Sequence, residues 1–107
     1  MYARVTTLEV DTVRIGVDEA LARYREQFVP RLAEQEGYEG VLVFSTPEGK
    51  GLVITLWDSE EAALAGTEDE GGLYTEVIRS FMTVFKAPPG RGHYQLAYTD
   101  LPFVPTG

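Results

Sequence analysis

The sequence contains a single imidazole, His93, and a single indole, Trp57, and these are its most chemically distinctive side chains. His93 has an ordinary pKa near neutrality, so any acid or base acting at pH 7 is sought there first. It follows Gly90-Arg91-Gly92 at a strand entrance, where an exposed or capping histidine is an equally ordinary reading. Trp57 closes an apolar strand run. Its ring can wall a cavity and its N–H can orient a phenol or quinone oxygen, or it can serve as a core anchor. Together His93 and Trp57 form the candidate catalytic pair. Tyr24 and Tyr74 are candidate substrate-binding hydroxyls, with Tyr94 and Tyr98 as further sources, although such tyrosines also commonly line core edges. Tyr94 and Tyr98 alternate with His93, Gln95 and Ala97, so these residues cannot all face one cavity. Arg79 can steady an anionic oxygen; the plainer alternative is an ion pair with Glu76, three residues earlier.

Much chemistry is excluded. With no cysteine there are no disulfides, thiolate nucleophiles or thiolate metal sites. One histidine with no carboxylate at ligand spacing leaves no metal motif, and no metal is expected. No paired-carboxylate, Ser-His-Asp or phosphate-loop pattern occurs, and the glycines at 49 and 51 read as a turn. A net charge of -8 without a basic cluster argues against nucleic acid and anionic membrane partners. No apolar run approaches the roughly 20 residues of a membrane helix. The opening MYARVTTLEV lacks a leader pattern, so a cytoplasmic protein is expected.

The elements that must position these residues follow from periodicity. Tyr2 to Val10 is β-branched and free of Gly and Pro, which predicts a first strand. Val17, Leu21, Tyr24, Phe28 and Leu32 recur at helical spacing behind Asp18 as N-cap, and Pro30 should kink this helix or start a new turn. Val41–Phe44 and Leu52–Trp57 form a hairpin around the turn residues between them. Ser59 caps a short helix through Leu64. The acidic stretch from Gly66 to Gly72, with Glu68-Asp69-Glu70, reads as a solvated loop. Leu73, Val77, Phe81 and Phe85 mark the stripe of a longer second helix, which Pro88, Pro89 and Gly90 stop. Gly92 to Thr99 is a last strand. The chain is thus one α+β domain over residues 1–100, of ferredoxin-like β-α-β-β-α-β order, with an extended tail at 101–107.

That order implies a four-stranded antiparallel sheet with its helices on one face. A sheet with one wet face should alternate apolar and polar residues, yet the hairpin strands are apolar almost throughout. Helices from one chain cover one side only. A second copy is the expected cover for the other, giving a homodimer; folding of the tail or acidic loop over the sheet is the alternative.

Pro30 followed by Glu36-Gly37-Tyr38-Glu39-Gly40, and Ile54-Thr55-Leu56-Trp57-Asp58-Ser59-Glu60-Glu61-Ala62, resemble passages of the antibiotic biosynthesis monooxygenase-like family, whose members are dimeric α+β barrels. The resemblance spans nearly the whole chain. It implies a cofactor-independent monooxygenase-like protein, without metal or flavin, acting on a small aromatic phenol or quinol in an apolar pocket. Trp57 would position the substrate, and His93 or a tyrosine would help remove its proton. The other expectation is a non-catalytic homodimer that binds a small ligand or serves a structural role. The haem-degrading branch of this fold resembles the chain less. It uses an Asn, a Trp and a His on the helix after the Trp, whereas this chain lacks Asn, and residues 59–86 contain no His.

Overall fold

A computed structural model describes residues 1–67 and 71–102. The element order is β1 (Tyr2–Glu9), α1 (Val17–Gln27), α2 (Val29–Leu32), β2 (Tyr38–Ser45), β3 (Lys50–Trp57), α3 (Glu60–Leu64), α4 (Leu73–Phe81), a 3₁₀ turn (Met82–Val84) and β4 (Gly90–Gln95). The strands form one antiparallel sheet in the order β2-β3-β1-β4. This is the ferredoxin-like α+β arrangement expected from the sequence. The readings of Glu68-Asp69-Glu70 as a loop, and of residues 103–107 as part of an extended tail, lie outside the described residues.

Local chemistry explains most boundaries. Pro30 sits in the first turn of α2, and Phe28, with φ -118°, separates α2 from α1. The expected break therefore falls just before the proline, which lacks the N–H that would continue the α1 ladder. Ser59 caps α3 as expected, its Oγ accepting from the Ala62 N–H at 3.1 Å. Asp18 does not cap α1. Gly16 holds the N-cap position, and Asp18 lies in the first turn, where the helix dipole favours its charge.

The last strand and last helix are shorter than their patterns predict. β4 ends at Gln95 rather than Thr99 because its partner β1 begins at Tyr2, opposite Gln95. One further bond, from the Leu96 N–H to the Met1 carbonyl, closes the ladder. α4 ends at Phe81, and Phe85 instead bridges Val10 in extended backbone.

Gly37 turns the chain from α2 into β2 at φ +84°, and a Cβ there would lie 2.5 Å from Asp58 Oδ1 and 2.7 Å from Ala62 Cβ. Gly37→Ala combines left-handed strain with a clash on both sides. We expect it to cost about 2–4 kcal/mol, read as a lowered midpoint in thermal or denaturant unfolding.

Register fixes the two sides of the sheet. Arg4 and Thr6 stand opposite Thr55 and Val53 on β3 and opposite His93 and Arg91 on β4, all on the side the helices cover. Val5, Leu42, Phe44, Leu52, Ile54 and Leu56 occupy the other side. Phe44 there is 57% exposed, and residues 96–102 are themselves exposed, so the described part of the tail does not bury this face. The main core cluster lies on the helix side, with Leu32, Trp57 and Ala63 buried among Tyr2, Tyr24, Tyr38 and Leu73. No helix among the described residues is long and apolar enough to cross a membrane.

Candidate functional site

A cavity of about 110 Å³ lies between the sheet and helices α1 and α4. That is the scale of one aromatic ring, since a dry apolar cavity of about 150 Å³ holds benzene. It follows β1 from Arg4 to Val10. Its walls are apolar: Leu8, Val17 and Leu21 on one side, Val77, Ile78 and Phe81 on the other. Polar groups gather around Arg4, Thr6, Thr55, Tyr24 and Tyr74.

Arg4 is the group that sequence reasoning misses. Its residue is 4% exposed, and its guanidinium lies 5.1 Å from the Trp57 ring and 4.8 Å from the Tyr74 ring. Stacking of this kind is worth more when the cation is desolvated. Nη1 donates to the carbonyls of Ala63 at 3.3 Å and Ala65 at 3.4 Å, the second just past the end of α3. Among the described residues no carboxylate is within ion-pair distance of it. Burial lowers its pKa, Tyr74 and Tyr24 oppose this, and the neighbouring Arg91 cation lowers it further. Arginine remains charged under any such shift.

Two of the expected tyrosines line the cavity. Burial pushes the Tyr24 phenol up to about 12, with Arg4 pulling in the opposite direction. Tyr24 therefore carries its proton at neutral pH and acts as a donor rather than a base. The Tyr74 hydroxyl accepts from Thr6 Oγ1 at 3.3 Å, and Arg91 lies 5.3 Å from its ring on the side of β4.

The other expected site residues stand elsewhere. Trp57 is 2% exposed and outside the lining. Its Nε1–H donates to Thr55 Oγ1 at 2.8 Å, so the indole donor is satisfied within the protein and backs the cavity through Thr55 and Arg4. In this structure the N–H expected to meet a ligand is directed to Thr55. His93 is half-buried on the helix side of β4, directly across from Arg4, and does not line the cavity. Arg79 is exposed and outside the lining; a phase of two residues from Val77 turns it to solvent. Nor does Glu76 make its close ion pair with Arg79. It takes a bidentate pair with Arg31 at 2.7 and 2.8 Å, which links α2 to α4 and holds the Glu76 carboxyl below its usual range. Tyr94 is 61% exposed on the far face, and Tyr98, at 82%, lies beyond β4. Among the described residues no group of His, Asp and Glu is placed to hold a metal.

Solved structures share this architecture. A monooxygenase from ActVA-Orf6 of Streptomyces coelicolor, crystallised with nanaomycin D, superposes with a TM-score of 0.73 at 17% identity, over 95% of this chain and 92% of its own. This chain shares that monooxygenase's fold. SnoaB, a cofactor-independent oxygenase from Streptomyces nogalater, has this fold at TM-score 0.65 and 15% identity, over 95% of this chain and 97% of its own. A protein of unknown function from Nitrosomonas europaea has it at 0.70 and 16%, over 96% and 95%. No protein-family model matches the chain, and no curated protein matches it significantly. The monooxygenase fold is thus shared at identities that establish architecture, while chemistry must be argued from the cavity itself.

Proposed function

We propose that the chain binds a small aromatic phenol or quinol in the cavity and promotes its oxidation by dioxygen without a cofactor. The observation that carries this reading is a ring-sized apolar cavity with polar groups converging around Arg4. A phenol that loses its proton there becomes an electron-rich anion that oxygen can attack. For a single-ring phenol the balance closes without an external reductant: one oxygen atom becomes the new carbonyl para to the first, and the other leaves as water with the phenolic hydrogen and the displaced para hydrogen. Among the described residues the lining holds no carboxylate and no imidazole. The proton therefore passes to water at the cavity mouth, which favours substrates already acidic near neutral pH.

The same lack of a lining base supports a second reading, a ligand-binding protein without turnover. Oxygen uptake separates the two. With a panel of single-ring phenols and hydroquinones, purified protein should consume oxygen, and Val77→Trp, which fills the cavity, should reduce turnover at least about tenfold while the protein stays folded. Absence of uptake across the panel would leave only the binding reading.

We further propose a homodimer built through the apolar sheet face. The support is the run of Val5, Leu42, Phe44, Leu52, Ile54 and Leu56 on the side that no helix covers, since closed two-fold pairing is the commonest way to bury such a face.

A further inference from the structure

We infer that Arg4 selects the ionised form of the ligand, so that the cavity takes an aromatic ring bearing an anionic oxygen and holds a bound phenol as its phenolate. This rests on reading the cavity as a site for an aromatic ring.

Arg4 has an incomplete set of partners among the described residues. A guanidinium presents N–H donors in a planar fork on three nitrogens and accepts nothing. In Arg4 the recorded hydrogen bonds all leave from Nη1, at the long distances of 3.3 and 3.4 Å. Among the described residues Nε and Nη2 have no acceptor, and Arg4 lines the cavity, so a ligand there would be the acceptor they meet. A cation only 4% exposed, without a counter-ion among the described residues, is costly unless something of opposite charge visits it.

Among the described residues the groups around Arg4 offer no opposite charge. From α1 the neighbouring titratable group is Tyr24, from α4 it is Tyr74, and from β4 they are Arg91 and His93. None of these supplies a negative charge at neutral pH. Tyr24 is a neutral phenol whose hydroxyl has no hydrogen-bond partner among the described residues, so it can donate to the same oxygen that Arg4 attracts. Trp57 and Tyr74 stack on the guanidinium and keep it in place. A positive end on an apolar slot in a protein of net charge -8 is a local inversion of the overall field. It matches an aryl oxyanion better than a neutral ring, because opposite charge at close range favours the ionised form.

The test uses 4-nitrophenol, a single-ring probe whose anion absorbs visibly, and nitrobenzene, which has nearly the same shape and no ionisable proton. With protein in excess, the pH midpoint for ionisation of 4-nitrophenol should fall by about one unit or more, an at least tenfold preference for the anion. Arg4→Leu should restore the midpoint of the free phenol and weaken binding of the anion about tenfold, while nitrobenzene affinity stays within about twofold. Arg4→Lys should keep part of the shift. Retained nitrobenzene binding shows that Arg4→Leu has folded; if that variant does not fold, the midpoint of the unaltered protein decides alone. An unchanged or raised midpoint with nitrobenzene still bound overturns the inference and leaves the aromatic cavity standing, as does a shift that survives Arg4→Leu. If neither probe binds, the cavity reading fails and takes this inference with it.

Discussion

Ile54→Glu should sediment as a monomer at micromolar concentration, where the proposed pairing predicts a dimer for the unaltered chain. Ile54 lies opposite Val5 on one neighbouring strand and Leu42 on the other, so it sits inside the apolar face rather than at its rim. Full burial of a side chain of this size is worth about 1.5–3 kcal/mol, discounted here because its neighbours already shield part of it. Several such side chains together supply an interface core of the kind a stable pair needs. A carboxylate placed among them must be desolvated without a partner, and in a two-fold assembly both copies carry it. The effect on the folded monomer is small by comparison, because the introduced carboxylate would then face water. Analytical ultracentrifugation reads the result, and a monomer for the unaltered chain would remove the homodimer from the proposal.

Trp57→Ala should destabilise the fold by about 3–5 kcal/mol, lowering the midpoint of thermal unfolding by more than about 12 °C. The indole is 2% exposed, packs edge-on against Tyr38 at 5.8 Å, shares a cluster with Leu32 and Ala63, and stacks with Arg4. Removing it opens a void and frees the guanidinium at the same time. Trp57→Phe keeps much of the volume but leaves Thr55 Oγ1 without its donor, for a loss of about 1–3 kcal/mol. Because the N–H is held by Thr55, the Phe variant should lose stability while still binding a ring-sized ligand. A Phe variant of full stability with ligand binding abolished would show instead that the indole meets the ligand directly.

The fold is largely readable from the sequence because each element has its own local signal. Strand runs, Ser59 before Glu60 and Glu61, and Pro30 after a helical stripe act within a few residues of themselves. The boundaries that differ depend on partners far away: β4 stops where β1 starts, and Phe85 leaves the helical pattern to bridge Val10. The candidate site is less readable for the same reason. Tyr24 and Tyr74 are legible because hydroxyls on helical stripes point at the sheet. Arg4 reads as one polar residue in a strand, although its alternation with Tyr2, Thr6 and Leu8 puts it on the side that must be buried. That signal is present but needs the sheet order, which places β1 between two neighbours, to become decisive. Nothing in the sequence shows Glu76 choosing Arg31, 45 residues earlier, over Arg79 on its own helix. The turn of the Trp57 ring toward Thr55 is likewise a matter of side-chain rotation that residue type leaves open.

On the helix side the cavity's exposed lining residues are Leu21, Val43, Ser45 and Lys50, while Arg4, Thr6 and Thr55 lie deep. Its doorway therefore runs along β2, the outermost strand of the sheet, whose free edge has only one neighbour to hold it. For the proposed ligand, passage in and out would depend on the fraying of that margin, since an edge strand loosens more readily than a central one. A guest would travel charged end first past the hairpin, and its dwell time would be set by the rim rather than by the deep wall that recognises it.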